Sequence, residues 1–351
     1  MIVPDSVQYC ARAAAHAPSA DNTQPWRLRW DGEQLTLCAR EPAHKALGFP
    51  AQHPAVQIAL GAAAENLLQA AKGIDQAEPI LMPEAGLMEQ VAAIRVPQTA
   101  LPPHEDAALF LRHTNRFPYK REPVPEDVRA WLRAQAEGDA RVVVLDQPKE
   151  IRAIGDLTRR ASEVRFQTRE IHEWLAASFR FTPEQVAQGD GLDIATLPLP
   201  PGGGYLLRFI SEWRRMALLN RLGAYKAFAK LEEQPVAKAP LLAAIVGKPG
   251  VIGARAAGRL MQRVWVELNR RGLAAQPGYV IPDQVQRLAQ GQVPASFTAA
   301  ITQVARELND ILPLQEHTLH MLLRVGYPTR EVTRSRRRPL AQVLMSEPKK
   351  N

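Results

Sequence analysis

Cysteine, long apolar runs and a leader-like start are scarce or missing in this chain of 351 residues. Only Cys10 and Cys38 are present, which excludes a disulfide framework and is typical of a reducing compartment. No apolar stretch approaches the roughly 18 residues that a membrane-spanning helix needs. The first residues lack the basic start and apolar core of a secretory signal peptide. We therefore expect a cytoplasmic location and no membrane partner.

Metal-ligand and nucleophile patterns are also missing. His317 and His320 are three residues apart, a spacing that suits a metal, but no carboxylate or cysteine cluster accompanies them. No Ser-His-Asp arrangement or carboxylate pair stands out in the sequence. We expect no metal site, and the sequence offers no convincing catalytic side chain.

Acidic residues are outnumbered, and the formal net charge is +8. Much of the surplus lies in the C-terminal run RSRRR at 334–338. Such a run can bind nucleic acid, but no basic stripe with interleaved aromatics accompanies it, so we expect no nucleic-acid partner. Two interpretations stay open: a solvated tail, or a basic arm that folds back onto a phosphate-bearing ligand.

What is present is enough apolar sequence, 46% of residues, for a large core. The length predicts about two domains or one large α/β unit. Near the N-terminus, Trp26, Leu28 and Trp30 alternate with arginines, and Asp31-Gly32 is a turn signal before Leu35 and Leu37. This pattern predicts a β-hairpin.

Two helices share a pattern. Residues 55 to 72 are apolar nearly all round, which is typical of a helix buried in the centre of a domain. Residues 255 to 271 form a second predicted helix, and both are stopped by a glycine. Two segments share three features: a small first residue, one apolar face and a terminal glycine. They are GAAAENLLQAAKG at 61–73 and GRLMQRVWVELNRRG at 258–272. They are a hint of internal repetition.

Residues 181 to 204 hold a high density of glycine and proline, including the run Gly202-Gly203-Gly204. No single regular element fits such a segment. Two interpretations stay open: a lid or binding loop, or a mobile linker between helices.

Two short polar segments carry the chemical signal. The loop Pro18-Ser19-Ala20-Asp21-Asn22-Thr23-Gln24 offers a hydroxyl, two amides and a carboxylate in one turn, groups that suit a planar heterocycle with alternating donors and acceptors. The run Arg112-His113-Thr114-Asn115-Arg116 places two guanidinium forks around a hydroxyl, which suits a phosphate. Each segment alone could equally be an ordinary loop or a solvated basic turn.

Together these segments and the C-terminal arm resemble the FMN-dependent nitroreductase family. PSADNTQPW at 18–26 is similar to the family's flavin-ring loop, PSxxNxQPW. RHTNR at 112–116 resembles its Arg-x-Ser-x-Arg phosphate run, and GYP at 326–328 with Arg336 to Pro339 resembles its C-terminal segment. The resemblance covers most of the chain outside about 147–240.

The order of the motifs departs from the family. Ordinary members place the phosphate run first and build the site across a homodimer, whereas here the ring loop precedes the phosphate run by about 90 residues. The resemblance therefore implies an α+β fold of two nitroreductase-like halves, 1–104 and 105–351, packed as a pseudo-dimer within one chain. Antiparallel-rich sheets would be flanked by helices, as expected for the duplicated Acg-like subgroup. The first half would carry the ring loop, and the second the phosphate run, the lid 181–204 and the basic arm.

The resemblance also implies a function. One FMN per chain would take hydride from NAD(P)H and pass it to a small acceptor such as a nitroaromatic or quinone. The alternative is a lid-closed protein that stores FMN with little turnover. The expected flavin contacts are Pro18, Ser19, Ala20, Asn22, Gln24, Arg112, His113, Thr114, Arg116, Pro277, Gly278, Arg336 and Arg337. Arg116 would lie near the flavin N1/O2 edge. Either a monomer or a homodimer is compatible with this scheme.

Overall fold

The computed structural model describes residues 2–40, 49–81, 90–97, 99–102 and 107–346. Its helices are α1 Asp5–Ala15, α2 Pro54–Ala71, α3 Ala107–Leu111, α4 Glu126–Arg133, α5 Pro148–Gln167, α6 Arg169–Ser178, α7 Pro183–Ala187, α8 Gly203–Ile210, α9 Trp213–Arg221, α10 Ala224–Ala237, α11 Val251–Arg270, α12 Val280–Ala289, α13 Ala295–Ile311 and α14 Leu340–Val343. Its strands are β1 Trp26–Trp30, β2 Gln34–Ala39, β3 Glu78–Leu81, β4 Gln90–Arg95, β5 Ala136–Glu137, β6 Ala140–Leu145, β7 Phe179–Arg180, β8 Leu192–Asp193, β9 Leu241–Gly247, β10 Ala274–Gly278, β11 Thr318–Gly326 and β12 Leu344–Ser346. The predicted α+β class with antiparallel-rich sheets and flanking helices is confirmed.

The first sheet has the order β12-β1-β2-β4-β3. The predicted hairpin is confirmed, because β1 and β2 pair antiparallel with Trp30 opposite Leu35. The outer strand β12 comes from the far end of the chain and pairs parallel to β1, with Leu28 opposite Leu344. The sheet therefore combines residues 26–95 with a strand that follows the arginine-rich arm.

The second sheet, β10-β11-β9-β6-β5, is antiparallel throughout. Its central strand β9 is buried along its whole length. Alternate residues point to opposite faces of a strand, so Leu241, Ala243 and Ile245 join the large core that also holds the first sheet. Leu242 and Ala244 join a second core with α5 and α13.

The central helices α2 and α11 cross in contact, and glycine makes the approach possible. A Cβ on Gly61 would lie well under 3.0 Å from the carbonyl oxygen of Arg255. Reciprocally, a Cβ on Gly258 would lie well under 3.0 Å from the carbonyl oxygen of Ile58. The glycines that begin the two similar segments of sequence are thus the crossing point. The predicted boundary at residues 104 and 105 and the pseudo-dimer arrangement stay predictions.

Two local predictions from the sequence are wrong. Helical spacing over residues 6–16 favours Ser6 as the N-cap, but Pro4 is the N-cap residue of α1 and Ser6 lies buried within the first turn. The sequence also favours one helix over residues 206–222, but the structure breaks it into α8 and α9, where Glu212 takes up an extended backbone at φ −83° and ψ 121°. The short apolar run of the sequence at 80–82 falls on β3, except for Met82, which lies outside the described residues.

No helix within the described part of the chain is long and apolar enough to cross a membrane.

Candidate functional site

A cavity of about 1410 Å³ lies where the sequence-predicted segments meet. Most of the predicted contacts line it: Pro18, Ser19, Ala20, Asn22, Arg112, His113, Thr114, Arg116, Pro277, Gly278 and Arg337. Gln24 and Arg336 do not. The fold therefore gathers the ring loop, the phosphate run, the end of β10 and the C-terminal arm around one space.

The ring loop is held in an unusual backbone conformation. Asp21, Asn22 and Gln24 have positive φ values of 42°, 58° and 53°. Left-handed backbone is uncommon for residues other than glycine and clusters at functional sites. The Ser19 hydroxyl accepts a hydrogen bond from the Gln24 backbone N–H at 2.9 Å, which closes the loop on itself.

The loop's two amide side chains bind other parts of the protein. The Asn22 Nδ2 donates to the carbonyl oxygens of Gly189 (3.3 Å) and Arg336 (3.0 Å). The Gln24 Nε2 donates to the Gly189 carbonyl at 2.8 Å, and its Oε1 accepts from the Arg338 N–H at 3.0 Å. These amides join the loop to the candidate lid and to the arm, and this explains why buried Gln24 lies away from the cavity.

The phosphate run is fixed against the second sheet and α11. Thr114 pairs with Ala275 of β10, and the Asn115 N–H donates to the Ala275 carbonyl at 3.1 Å. The Trp265 indole N–H donates to the His113 carbonyl at 3.1 Å. A rigid strand and a buried helix thus set the direction of the side chains at 112, 114 and 116.

Two guanidinium groups converge at the base of the cavity. Arg112, only 5% exposed, lies over the Trp265 ring at 4.6 Å and donates through Nη2 to the His16 carbonyl at 3.0 Å. Arg337 donates to the same carbonyl at 3.3 Å and to the Asn22 Oδ1 at 3.0 Å. The buried Nε atoms of both arginines have no hydrogen-bond partner.

Arg112 and Arg337 thus form a pair of neighbouring cations. Within the described ranges, no carboxylate lies at ion-pair distance from Arg112 or Arg337. Burial first, and the neighbouring Arg337 second, lower the pKa of Arg112 well below its usual value. Burial lowers the pKa of Arg337 to about 10. Uncompensated buried charge is costly, so the arrangement favours an anionic ligand with several acceptor oxygens.

Arg116 lies elsewhere on the cavity wall, with Asp21. Its Nη1 donates to the Thr196 hydroxyl at 3.3 Å. Burial raises the pKa of the Asp21 carboxyl, and the positive charges of Arg116 and Arg165 oppose that rise. Arg116 is therefore separate from the two guanidinium groups that share the His16 carbonyl.

The candidate lid is made of short elements and covers part of the cavity. Leu192, Leu197, Pro198, Leu199, Pro200 and Gly203 from segment 181–204 line it. Gly189 has φ +77°, and a Cβ there would lie well under 3.0 Å from the Arg337 carbonyl. The segment docks at that glycine through Asn22 and Gln24, and Asp190 forms an ion pair with Arg338 at 2.6 Å.

The C-terminal arm folds back onto the protein. Arg337 faces the cavity, Arg338 reaches Asp190, and the exposed Arg336 contributes its carbonyl oxygen to Asn22. Arg337 and Arg338 are therefore not part of a solvated tail, and the phosphate-bearing ligand of the other interpretation stays a prediction.

Sequence reasoning missed several cavity residues. Arg165 of α5 binds Glu232 of α10, and both line the cavity. Asp283 and Arg287 of α12 form a buried ion pair at 3.1 Å on another wall. A pair of opposite charges four residues apart is common on solvated helices, so the sequence holds no distinctive signal for it. The aromatic and apolar side chains of Phe166, Trp174, Leu206, Phe228 and Leu231 also line the cavity.

No group of three or more His, Cys, Asp or Glu side chains in the described ranges could hold a metal ion. His320 lies within β11, and its Nε2 is 2.9 Å from the Lys248 carbonyl. Burial raises the pKa of Cys10 to about 12, which makes its thiol a poor nucleophile.

Comparison with known proteins gives distant likenesses. No protein-family profile matches the chain. It is 28% identical over 283 residues to the uncharacterized protein MT1398 of Mycobacterium tuberculosis (strain CDC 1551 / Oshkosh), a match over 76% of this chain. The chain spans only 38% of that relative's length.

Solved structures that resemble the chain include FMN-bound proteins. An iodotyrosine deiodinase bound to FMN and 3-iodo-L-tyrosine is 14% identical, with a TM-score of 0.35 over 66% of this chain and 94% of that one. An FMN-bound nitroreductase of Bacteroides fragilis NCTC 9343 is 10% identical, with a TM-score of 0.34 over 66% and 95%. The FMN and NADPH-dependent nitroreductase NfnB of Sphigopyxis sp. strain HMH is 18% identical, with a TM-score of 0.36 over 68% and 96%. Likeness at this level places no ligand in this chain.

Proposed function

We propose that this protein is an FMN-binding oxidoreductase of nitroreductase-like fold. One observation carries the proposal: Arg112 and Arg337 are two neighbouring, desolvated guanidinium groups that face one cavity, and no carboxylate among the described residues pairs with either of them. A phosphate dianion supplies the missing charge and the missing acceptors. Charge-assisted hydrogen bonds of this kind contribute about 1.5–3 kcal/mol each.

Thr114 and the loop Pro18–Asn22 border the same space. The Thr114 hydroxyl would add a neutral donor to the phosphate. The loop would orient the flavin ring through backbone groups held by its left-handed residues, with Pro277 and Gly278 at the end of β10 on the same cavity. Gln24 and Arg336 would act indirectly, by fixing the loop and the arm.

The bound flavin would supply hydride transfer, while the protein supplies orientation, electrostatics and exclusion of water. Arg116 provides a half-buried positive charge near Asp21, where it would stabilise negative charge on the reduced ring. The apolar side chains that α5, α6, α8 and α10 contribute to the cavity lining would limit the access of water to a bound flavin.

The cavity is larger than one cofactor requires. Small-molecule pockets commonly measure roughly 300–1,000 Å³, and this one measures about 1410 Å³. The excess favours a second ligand beside the flavin. We propose NAD(P)H as the donor and a small acceptor, such as a nitroaromatic or a quinone, as its successor in that space.

FMN storage is the second candidate, and the docking of Gly189 favours it. Asn22 and Gln24 both bind the Gly189 carbonyl, which holds the segment 181–204 over the cavity. Anaerobic stopped-flow mixing with NADPH, and separately NADH, distinguishes the two. A reductase bleaches the flavin absorbance within seconds, whereas a store retains it.

The absorbance spectrum of purified protein, with the flavin-to-chain ratio, tests the proposal directly. We expect one FMN per chain, since the ring loop and the phosphate run each occur once and line one cavity. In the proposed pseudo-dimer, α2 and α11 take the place of a dimer contact, and the two halves of one chain complete this single site. Two flavins per chain would refute the single site, and failure to bind added FMN would refute the proposal as a whole.

A further inference from the structure

Helices α8, α9 and α10 expose an unusual number of large apolar side chains. We define the α8–α10 face by six exposed residues: Tyr205, Leu206, Phe209, Leu218, Leu222 and Leu231. They make up half of the exposed large apolar side chains in the described ranges, within a stretch of 27 residues. Scattered exposed leucines are ordinary, but a concentration of them on neighbouring helices marks an interaction surface.

Contacts join α8 and α9 within this face. Tyr205 and Phe209 are one turn apart on α8, as Leu218 and the following Leu222 are around the end of α9. The Arg215 guanidinium of α9 lies over the Phe209 ring at 4.8 Å and donates to the Phe209 carbonyl at 3.4 Å. These contacts fix α9 against α8.

The same helices carry a surplus of basic residues. Residues 203–237 contain three acidic residues, Glu212, Glu232 and Glu233, and six basic residues: Arg208, Arg214, Arg215, Arg221, Lys226 and Lys230. Arg215 pairs with Glu212 at 3.0 Å and Lys230 with Glu233 at 2.7 Å. The formal surplus is three positive charges, so cations outnumber carboxylates around the apolar side chains.

Exposed apolar side chains combined with surplus positive charge favour some binding partners of this face over others. A second copy of the chain in a two-fold contact would bring two like-charged faces together, which disfavours self-association. An anionic bilayer satisfies both features, because its headgroups attract the basic residues and its acyl boundary accepts the apolar ones. We propose that the α8–α10 face binds peripherally to an anionic membrane surface.

Membrane binding through the α8–α10 face would bring the cavity close to the bilayer. Leu206 and Leu231 belong to the face and also line the cavity. A bilayer on this face would lie beside the cavity's apolar wall, within reach of a lipid-soluble ligand. The proposal departs from the sequence-based expectation of no membrane partner, which rested on the lack of a spanning segment, because surface binding requires none. The docking itself does not depend on a flavin.

Flotation of the full chain with lipid vesicles tests the proposal. We expect binding to vesicles with roughly 30 mol % phosphatidylglycerol in phosphatidylcholine and weak binding to pure phosphatidylcholine. Raising the salt from about 0.1 M to about 0.5 M should weaken the binding, because surface charges are screened. The double variant L218Q/L222Q should reduce vesicle binding about tenfold.

Leu101→Gln is the matched control, since Leu101 and Leu222 are both 82% exposed and Leu101 lies outside the face. Circular dichroism should show both variants folded, because the replaced side chains are at least 60% exposed. Equal wild-type binding to anionic and neutral vesicles, or none to either, would overturn the proposal. Loss of a dimer in L218Q/L222Q by analytical ultracentrifugation, without a change in vesicle binding, would assign the face to a second copy instead.

Discussion

Replacing Arg112 by methionine should weaken FMN binding and leave the ligand-free protein as stable as before, or more stable. Arg112 is buried beside a second cation, and the ion-pair partner it lacks is the proposed phosphate. Methionine retains much of the side-chain length and removes the charge. If Arg112 serves to bind the ligand, its replacement lowers the affinity for FMN without lowering the stability of the ligand-free protein. If Arg112 is structural, its replacement lowers that stability.

The expected magnitudes follow from the contacts of Arg112. Loss of a charge-assisted hydrogen bond to phosphate costs about 1.5–3 kcal/mol, which weakens FMN binding about 10- to 150-fold. In the ligand-free protein, the lost bond to His16 and the lost contact with Trp265 cost about 1–3 kcal/mol together. Removing a desolvated cation also removes its desolvation cost, which raises the free energy of unfolding by several kcal/mol. The His16 carbonyl keeps Arg337 as a donor, so no acceptor is left unpaired.

Two measurements check this prediction: the FMN dissociation constant from fluorescence titration and the melting temperature of the ligand-free protein. Arg336→Met is the matched control, because its side chain is exposed and lies outside the cavity lining. It should change the dissociation constant less than about threefold. An Arg112→Met protein that melts earlier and binds FMN as tightly as wild type would refute the reasoning, as would an equal loss of affinity in both variants.

Three further predictions concern pH, the helix crossing and the lid. Burial lowers the pKa of His53 to about 4, so the unfolded chain binds this proton more tightly than the folded protein does. The stability that neutral His53 contributes is fully present above about pH 6.5 and is lost as the pH falls toward 4. His53→Asn keeps a good helix cap and should reduce this loss of stability in acid by about 1–3 kcal/mol, measured in urea titrations. Gly258→Ala should lower the free energy of unfolding by about 1–3 kcal/mol in the same assay, because its Cβ would overlap the Ile58 carbonyl. Gly189→Ala should release the lid from the arm and raise the FMN dissociation rate about tenfold in a flavin-capture assay, because its Cβ would overlap the Arg337 carbonyl.

Matched controls accompany these variants. Gly204→Ala in α8 meets only ordinary contact and should leave stability unchanged or raise it by about 0.5–1 kcal/mol. Gly202 shares the φ value of +77° with Gly189 but has open space around it, so Gly202→Ala introduces the same backbone strain without the clash. Equal FMN release from both variants would argue against docking at Gly189. A His53→Asn protein with an unchanged acid profile would remove His53 from the pH dependence.

Much of the local structure could be predicted because its cause is local. Alternation in β1 and β2 and the apolar helices α2 and α11 follow from short-range periodicity. The crossing of those helices explains why both similar segments begin with glycine, a detail that periodicity alone does not reveal. The break between α8 and α9 was missed because Ser211 and Glu212 carry no glycine or proline signal.

The candidate site was harder, since its geometry depends on residues far apart in the chain. Sequence identified an arginine-rich arm but could not decide which arginine faces the cavity. That choice follows from Asn22, which binds the Arg336 carbonyl and the Arg337 side chain across more than 300 residues. Likewise, nothing local distinguishes Asp283 and Arg287 from a solvated pair, because their burial is imposed by the surrounding helices.

The pairing of β12 with β1 changes the physical nature of the arginine arm. Residues 327–343 connect β11 to β12, and both strands are paired in sheets, so the arm is restrained at both ends and is not a free tail. Its conformational entropy is lost when the protein folds, and an incoming anion meets Arg337 already restrained. Deleting the chain from residue 344 would therefore impair anion binding through preorganisation, although β12 itself contributes no residue to the cavity lining.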